Sequence, residues 1–500
     1  MPLTLEGTWQ NEFGSLMTLK QTENNGITCL FTGSYTSHTG ETGAYQVNAV
    51  SDALPTENGL TVSINVLWKN LAPDAKPSEY DHALSSFTGQ LQLVNGDAVI
   101  NTTYLLVSNT APADDWGATI IDKSTFRRVP EVLPKSSKYD TENTACIRMP
   151  LHAGTLTENG ATPWYTTLKI GTPGQTLKLM VDTGTTHTWL TSTLCNTAPC
   201  LLHERYSPTQ SSSYKAVDAP IQQIDFGPWG SMDASLGIDL ISLDNNNNPI
   251  QVSDSLRFYM AQNYKGSKFA ELACDGGLSI PSILPVGIDS SELLPQLRNE
   301  MKIGWPIASF CFNENDKVGE VILGAVDTNK FREDTLNICA LIDANSLLED
   351  GLSYLWTIAL DSLTLTHNEE RTDKSVLCDF IFAVDTGSSF FKGNKQIIDK
   401  IVASITQEGS LPEKVYAATP DFEKYPNITF AINGSEYVLT PEQYFVRLED
   451  GVWRLGFDPL DGLPDGFLLA GSLFLNPIYS IFYYQTNSCS RKAIGLAEKY

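Results

Sequence analysis

Leu177-Lys178-Leu179-Met180-Val181-Asp182-Thr183-Gly184 and Phe380-Ile381-Phe382-Ala383-Val384-Asp385-Thr386-Gly387 end in the same triplet. The two copies stand 203 residues apart. Each apolar run reads as a buried strand, and each ends on a carboxylate, a hydroxyl and a turn glycine. A carboxylate at the tip of a buried strand costs free energy unless it does chemistry. Two such tips, one from each half of an internally duplicated domain, can bring two carboxyls together. At that range both cannot ionise, so one keeps a proton at a pH where the other has lost it. Asp182 and Asp385 are therefore candidates for an acid and a base in one site, enough to activate a water molecule.

Working outward, a chain of 500 residues exceeds one hydrophobic core and implies two or three domains. Its 42% hydrophobic and 18% charged content is that of a folded chain. The net charge is −25, and the first 129 residues and the remainder are both acidic, which argues against nucleic acid or an anionic membrane as partner. No apolar run is long enough for a membrane span. An acidic chain loses self-repulsion as pH falls, which suits work in an acidic compartment. Of the nine cysteines, Cys195 and Cys200 flank the turn-like Asn196-Thr197-Ala198-Pro199. A local disulfide is expected there, with two free thiols as the alternative. No Cys-x-x-Cys or His pair suggests a metal. The start, Met1-Pro2-Leu3-Thr4-Leu5-Glu6, has neither the basic segment nor the apolar block of a signal peptide.

Residues 3–129 alternate strand-like runs with turn signals such as Asn24-Asn25-Gly26 and Asn95-Gly96. Eight runs begin near Gly7, Leu16, Cys29, Ala44, Leu60, Ser86, Ala98 and Ala118. Eight short antiparallel strands in succession suit an up-and-down barrel, which closes its own edges. Residues 130–145, with Pro130, Pro134 and Lys135-Ser136-Ser137-Lys138, read as a linker. From Cys146 the pattern is again strand-rich, with a helical segment at Gly393–Glu408. The expected class is all-β: a barrel at 3–129, then a two-lobed domain divided at 146–345 and 346–500.

The stretches Gly7-Thr8-Trp9-Gln10-Asn11, Thr32-Gly33-Ser34-Tyr35, Val66-Leu67-Trp68-Lys69-Asn70, Phe87-Thr88-Gly89-Gln90 and Ile100-Asn101-Thr102-Thr103-Tyr104 resemble the avidin/streptavidin family in order and spacing. That resemblance implies biotin as a ligand. Asn11, Ser15 and Tyr35 stand where the family holds the ureido oxygen, and Ser37 where it holds a ureido nitrogen. Trp68 and Tyr104 stand at wall positions, and Ser85 at the ring sulfur. Trp116 stands where the family reaches into a neighbouring subunit, which implies a homo-oligomer. Ser124 replaces the family's longer acceptor, Phe87 a tryptophan, and Glu41 brings a charge near the tail position. A barrel kept only for assembly is the alternative.

The remainder, from about Cys146 to Tyr500, resembles the pepsin-like aspartic proteases (family A1). Trp164-Tyr165-Thr166-Thr167-Leu168-Lys169-Ile170-Gly171-Thr172-Pro173, Asp182-Thr183-Gly184 with Trp189, Tyr206-Ser207-Pro208, the Phe380–Phe390 loop and Leu468-Leu469-Ala470-Gly471 carry the resemblance. It implies an aspartic endopeptidase acting on peptide or protein substrates without a cofactor, through Asp182 and Asp385. Thr183 and Thr386 are expected to tie the two loops together. Gly184 and Gly387 would permit close backbone approach, and the hydroxyls of Thr185 and Ser388 would donate to the outer carboxylate oxygens. The family's flap tyrosine falls at Phe226 or at Trp229, with loss of a phenol hydrogen bond toward Trp189. The first lobe has Gly277-Leu278-Ser279 where an apolar-apolar-glycine element is usual, and Ser472 follows Gly471. His187 reads as structural. Family and disulfide favour a secreted or acidic location, and no lysine-rich prosegment stands before residue 146. Two further readings stay open: a biotin-binding protein with a silent protease region, and a scaffold in which the barrel assembles several copies.

Overall fold

The computed structural model describes residues 3–11, 15–37, 44–56, 58–69, 83–94, 97–108, 119–129, 140–141, 144–243, 250–251, 256–283, 293–314, 316–342, 351–366, 374–406, 415–448, 451–484 and 492–500. Trp116, Glu41, the Asn95-Gly96 turn and Cys489 lie outside them. The chain forms two compact units. One contains the barrel, and the other runs over Pro134–Tyr484 and closes with Ala493–Tyr500.

The first unit is a closed antiparallel barrel of eight strands: Gly7–Asn11, Leu16–Asn24, Thr28–Thr36, Ala44–Asp52, Leu60–Trp68, Ala83–Val94, Asp97–Val107 and Thr119–Val129. Closure comes from pairing of the first and last strands, in register from Thr8↔Val129 to Asn11↔Phe126. The alternation that marks the strands in the sequence sorts their side chains. Leu60, Val62, Ile64 and Val66 are buried, and the residues between them face outward to varying degrees. At the Asn24-Asn25-Gly26 turn, both asparagine side chains accept backbone N–H groups and hold the reversal.

The second unit carries a 16-stranded sheet and a seven-stranded sheet, and it repeats one local topology twice. In the first lobe, Gln175–Asp182 lies between an antiparallel neighbour, Trp164–Ile170, and a parallel one, Gly276–Ser279, paired from Leu179↔Gly276 to Asp182↔Ser279. In the second, Lys374–Val384 lies between antiparallel Thr357–Thr366 and parallel Phe467–Ala470, ending at Val384↔Ala470. The last residues of each strand are enclosed on both faces: Leu179, Met180 and Val181 in the first and Phe382, Ala383 and Val384 in the second are buried in succession. The helix Lys395–Thr406 falls within the segment expected to be helical. It buries Ile398, Ile401, Val402 and Ile405, an i, i+3, i+4, i+7 stripe. Among the described residues, no helix is long and apolar enough to cross a membrane.

Candidate active site

Both triplets leave their strands at the floor of one cavity of about 440 Å³, lined by Asp182, Asp385, Phe226, Trp229 and Lys392 among others. The two carboxyls are buried, and each lies close to the other's loop. Each is also anchored within its own turn: Gly184 N–H donates to Asp182 Oδ1 at 2.7 Å, and Gly387 N–H donates to Asp385 Oδ1 at 2.8 Å. Each then lies against the other turn's glycine. A methyl placed on Gly184 would fall 2.3 Å from Asp385 Oδ1, and one on Gly387 would fall 2.3 Å from Asp182 Cγ. Neither glycine has a left-handed φ, so what they contribute is space rather than backbone freedom.

Beneath the carboxyls the threonines cross. Thr183 N–H donates to Thr386 Oγ1 and Thr386 N–H donates to Thr183 Oγ1, both at 3.0 Å. Their hydroxyls go on to Val384 O and Val181 O in the opposite strands. This reciprocal network joins the ends of two strands that are distant in sequence. Burial, and then the charge of Asp385, raise the Asp182 carboxyl well above the ordinary carboxylate range.

Thr185 and Ser388 each accept a hydrogen bond from another residue. Thr185 Oγ1 accepts the His187 amide at 3.3 Å, and Ser388 Oγ accepts the ammonium of Lys392 at 3.0 Å. Neither hydroxyl bonds a dyad carboxylate. Ser279 stands beside Asp182 at the end of its strand. Its hydroxyl donates to Thr185 O at 2.7 Å, so the residue that breaks the family pattern braces the first loop.

The segment expected to be the flap is a hairpin of Gln222–Asp225 and Ser231–Asp239, with a tight 3₁₀ turn, Gly227–Trp229, at its tip. Phe226 is the ring against Trp189, edge-on at 5.2 Å between centroids. Trp229 turns inward instead: it is buried, and its indole N–H donates to Asn159 O at 3.1 Å. Trp189 Nε1 is buried without a hydrogen-bond partner, and the phenyl ring of Phe226 beside it offers none. Phe226→Tyr is expected to supply that partner and steady the flap, raising kcat/KM about 2- to 10-fold. Steady-state kinetics on one peptide checks this, and a variant slower than the parent counts against it.

His187 lines the same cavity. Its Nδ1 is 2.9 Å from Thr186 Oγ1, and its ring lies edge-on to Tyr259 at 5.0 Å. Burial pushes the imidazole down to about 4. As pH falls, the unfolded chain protonates this histidine first, near its ordinary value of about 6.5. Stability from this group is thus complete above about pH 6.5 and is lost as pH falls toward 4, up to about 3 kcal/mol. Urea unfolding of wild type and His187→Gln at several pH values should show the wild type losing stability relative to the variant over that interval. A constant offset would refute the assignment.

Cys195 and Cys200 form the expected disulfide, with Cα atoms 6.0 Å apart. Cys29, Cys146, Cys274, Cys311 and Cys339 are free thiols. Sequence reasoning passed over Lys392, although a lysine inside Phe390-Phe391-Lys392-Gly393, just after the second triplet, is a visible anomaly.

In the barrel, Ser15, Tyr35, Ser37, Ser85 and Ser124 are buried, with Trp68 and Tyr104 partly so. Asn11 Oδ1 accepts Ser15 N–H at 2.8 Å. Trp68 Nε1 donates to Ser85 Oγ at 2.7 Å, and its ring lies 5.9 Å from Tyr35 and 4.8 Å from Tyr45. Phe87 packs between Tyr104 and Phe126. The barrel therefore encloses hydroxyls within an aromatic wall.

Comparison with known proteins matches both units. A family model described as Avidin family covers residues 1–129. The second unit is similar to Pepsin-3 of Oryctolagus cuniculus, 27% identical over 343 residues, covering 67% of this chain and 81% of that one. Pepsin A of Bos taurus is 27% identical over 341 residues, covering 67% and 84%. Cathepsin E-B of Xenopus laevis is 28% identical over 333 residues, covering 64% and 76%. A family model described as Eukaryotic aspartyl protease matches residues 163–498, two-thirds of the chain, around the paired carboxyls. The chain belongs to the eukaryotic aspartyl protease family.

Proposed function

We propose that the chain is an aspartic endopeptidase working in acid, with Asp182 and Asp385 as its catalytic pair. The observation that carries this is the mutual seating of the two carboxyls, each against the other's glycine, on the floor of an open cleft. A water held between them loses a proton to the ionised carboxyl and attacks the scissile carbonyl carbon. The other carboxyl gives its proton to the carbonyl oxygen, and a gem-diol forms with no covalent bond to the protein. The substrate lies extended under the flap, gripped by main-chain hydrogen bonds like an added strand. Cleavage of a denatured protein between about pH 3 and 5, blocked by a statine-type inhibitor, tests the reading. It fails if purified protein shows no such cleavage under any activation regime.

For the barrel we propose biotin binding and assembly. The buried hydroxyls among Trp68, Tyr35 and Tyr104 support the first. Exposed apolar side chains support the second: Leu67 pairs with Leu84, Leu84 with Val107, and Leu105 with Ile121 along the outer wall. Calorimetric titration of the full chain with biotin, and its mass by light scattering, decide between them. No heat removes biotin, and the mass of a single chain removes assembly.

A further inference from the structure

The dyad does not account for Lys392. It lies in the short strand Phe391–Gly393, and its side chain is 5% exposed. An ammonium carries three donors, and here one is used, on the neutral hydroxyl of Ser388 at 3.0 Å. The charged groups that face it are Asp385 and Asp182 of the dyad, Asp458 on the paired strand, and Lys268. No carboxylate among them comes within hydrogen-bond reach of its nitrogen. Asp458, directly opposite Lys392 in register, is taken by Arg454. The dyad carboxyls accept the glycine amides of their own turns. The lysine stem is covered by the segment around Gly160, where an added methyl would lie 3.8 Å from Lys392 Cε. That segment is bound down on the second loop, with Ser389 N–H donating to Gly160 O at 2.9 Å. The side chain is therefore enclosed by protein, yet it forms part of the cavity wall beside Asp182 and Asp385.

A buried ammonium with no carboxylate within hydrogen-bond reach is costly and is otherwise met paired. A purely structural lysine, propping Ser388, leaves two donors unsatisfied. A ligand carboxylate entering the cleft supplies the missing acceptor, and the cleft is where a peptide would lie. We propose that Lys392 is a specificity-determining residue: its ammonium takes the carboxylate of an Asp or Glu side chain of the peptide bound over the dyad. This rests on the peptidase reading above. Burial lowers the affinity of Lys392 for its proton, but a lysine stays charged in acid. The substrate carboxylate is the titrating partner: a free Glu ionises near pH 4, so the preference should appear above that pH and vanish below it.

The test uses the full chain and pairs of peptides that differ only in Glu or Gln, one pair for each position flanking the cut. At one position kcat/KM at about pH 5 should favour Glu roughly 10- to 100-fold, the range of a charge-assisted hydrogen bond. At about pH 3 the ratio should fall toward one as Glu protonates. Lys392→Met should bring the ratio near one at both pH values, and Lys392→Arg should restore most of it. If Lys392→Met does not fold, the wild-type ratio and its pH dependence still decide. Gln peptides cleaved and statine-inhibited, with a ratio near one at every position at pH 5, overturn the proposal while leaving the peptidase intact. If no peptide of either kind is cut, the peptidase reading falls and the role of Lys392 falls with it.

Discussion

Asp182→Asn should abolish proteolysis, lowering kcat by at least about 10³- to 10⁴-fold. The substitution keeps the shape of the side chain and its reach to the Gly184 amide, but an amide can neither ionise nor share a proton with Asp385. The same variant should also be the more stable protein at neutral pH. In the folded chain, burial and Asp385 raise the Asp182 carboxyl well above its ordinary range. The unfolded chain releases that proton near pH 4. The stability carried by the protonated group is thus complete below about pH 4 and is lost as pH rises through the folded value. Asparagine never ionises and loses nothing. Urea midpoints of the two proteins should coincide near pH 3.5 and separate at pH 7, with Asp182→Asn higher. Equal midpoints at pH 7 would mean that Asp182 is not held protonated by burial, and the shared-proton mechanism would lose its basis.

Gly387→Ala should cost about 100-fold or more in kcat. The added methyl would lie 2.3 Å from both Cγ and Oδ1 of Asp182, far inside contact distance. The carboxyl cannot simply yield, because it is buried and the Gly184 amide holds it. Either the second loop lifts or the carboxyls part, and in both cases the water loses its seat. Gly184→Ala meets Asp385 at the same 2.3 Å and should behave alike. Because neither glycine has a left-handed φ, the loss should come from displaced carboxyls rather than from a strained backbone. The check is kcat together with statine-inhibitor affinity in a variant whose near-ultraviolet circular dichroism is native. Full activity in either variant would show that the carboxyls do not sit as close as the structure has them.

Much of this architecture is legible along the chain. Barrel strands beginning at Gly7, Leu16, Ala44 and Leu60 coincide with the starts of alternating runs, because alternation is a local property of a half-buried strand. Tandem apolar leads to Asp182 and Asp385 mark strands enclosed on both faces, and the helix Lys395–Thr406 carries its own periodic stripe. What stayed hidden were choices between partners from different parts of the chain. The hydroxyl of Ser388 serves Lys392 rather than a carboxylate, and Ser279 stands in for a glycine by bonding Thr185. One extra residue in the flap leaves Phe226 and Trp229 interchangeable on paper. Only the neighbouring Asn159 carbonyl, which takes the Trp229 indole, puts Phe226 against Trp189.

By itself the sequence determined that two acidic turns exist, that each ends a buried strand, and that a barrel precedes them. Spacing and periodicity act within a few residues of each position, so a linear reading captures them. Tertiary structure alone decided that each carboxyl lies against the other turn's glycine, that the threonines cross beneath them and that a lysine is shut in at their side. Those contacts join residues some 200 positions apart, and burial strips away the water that would otherwise satisfy each group alone. Which donor then meets which acceptor is a property of the packed molecule.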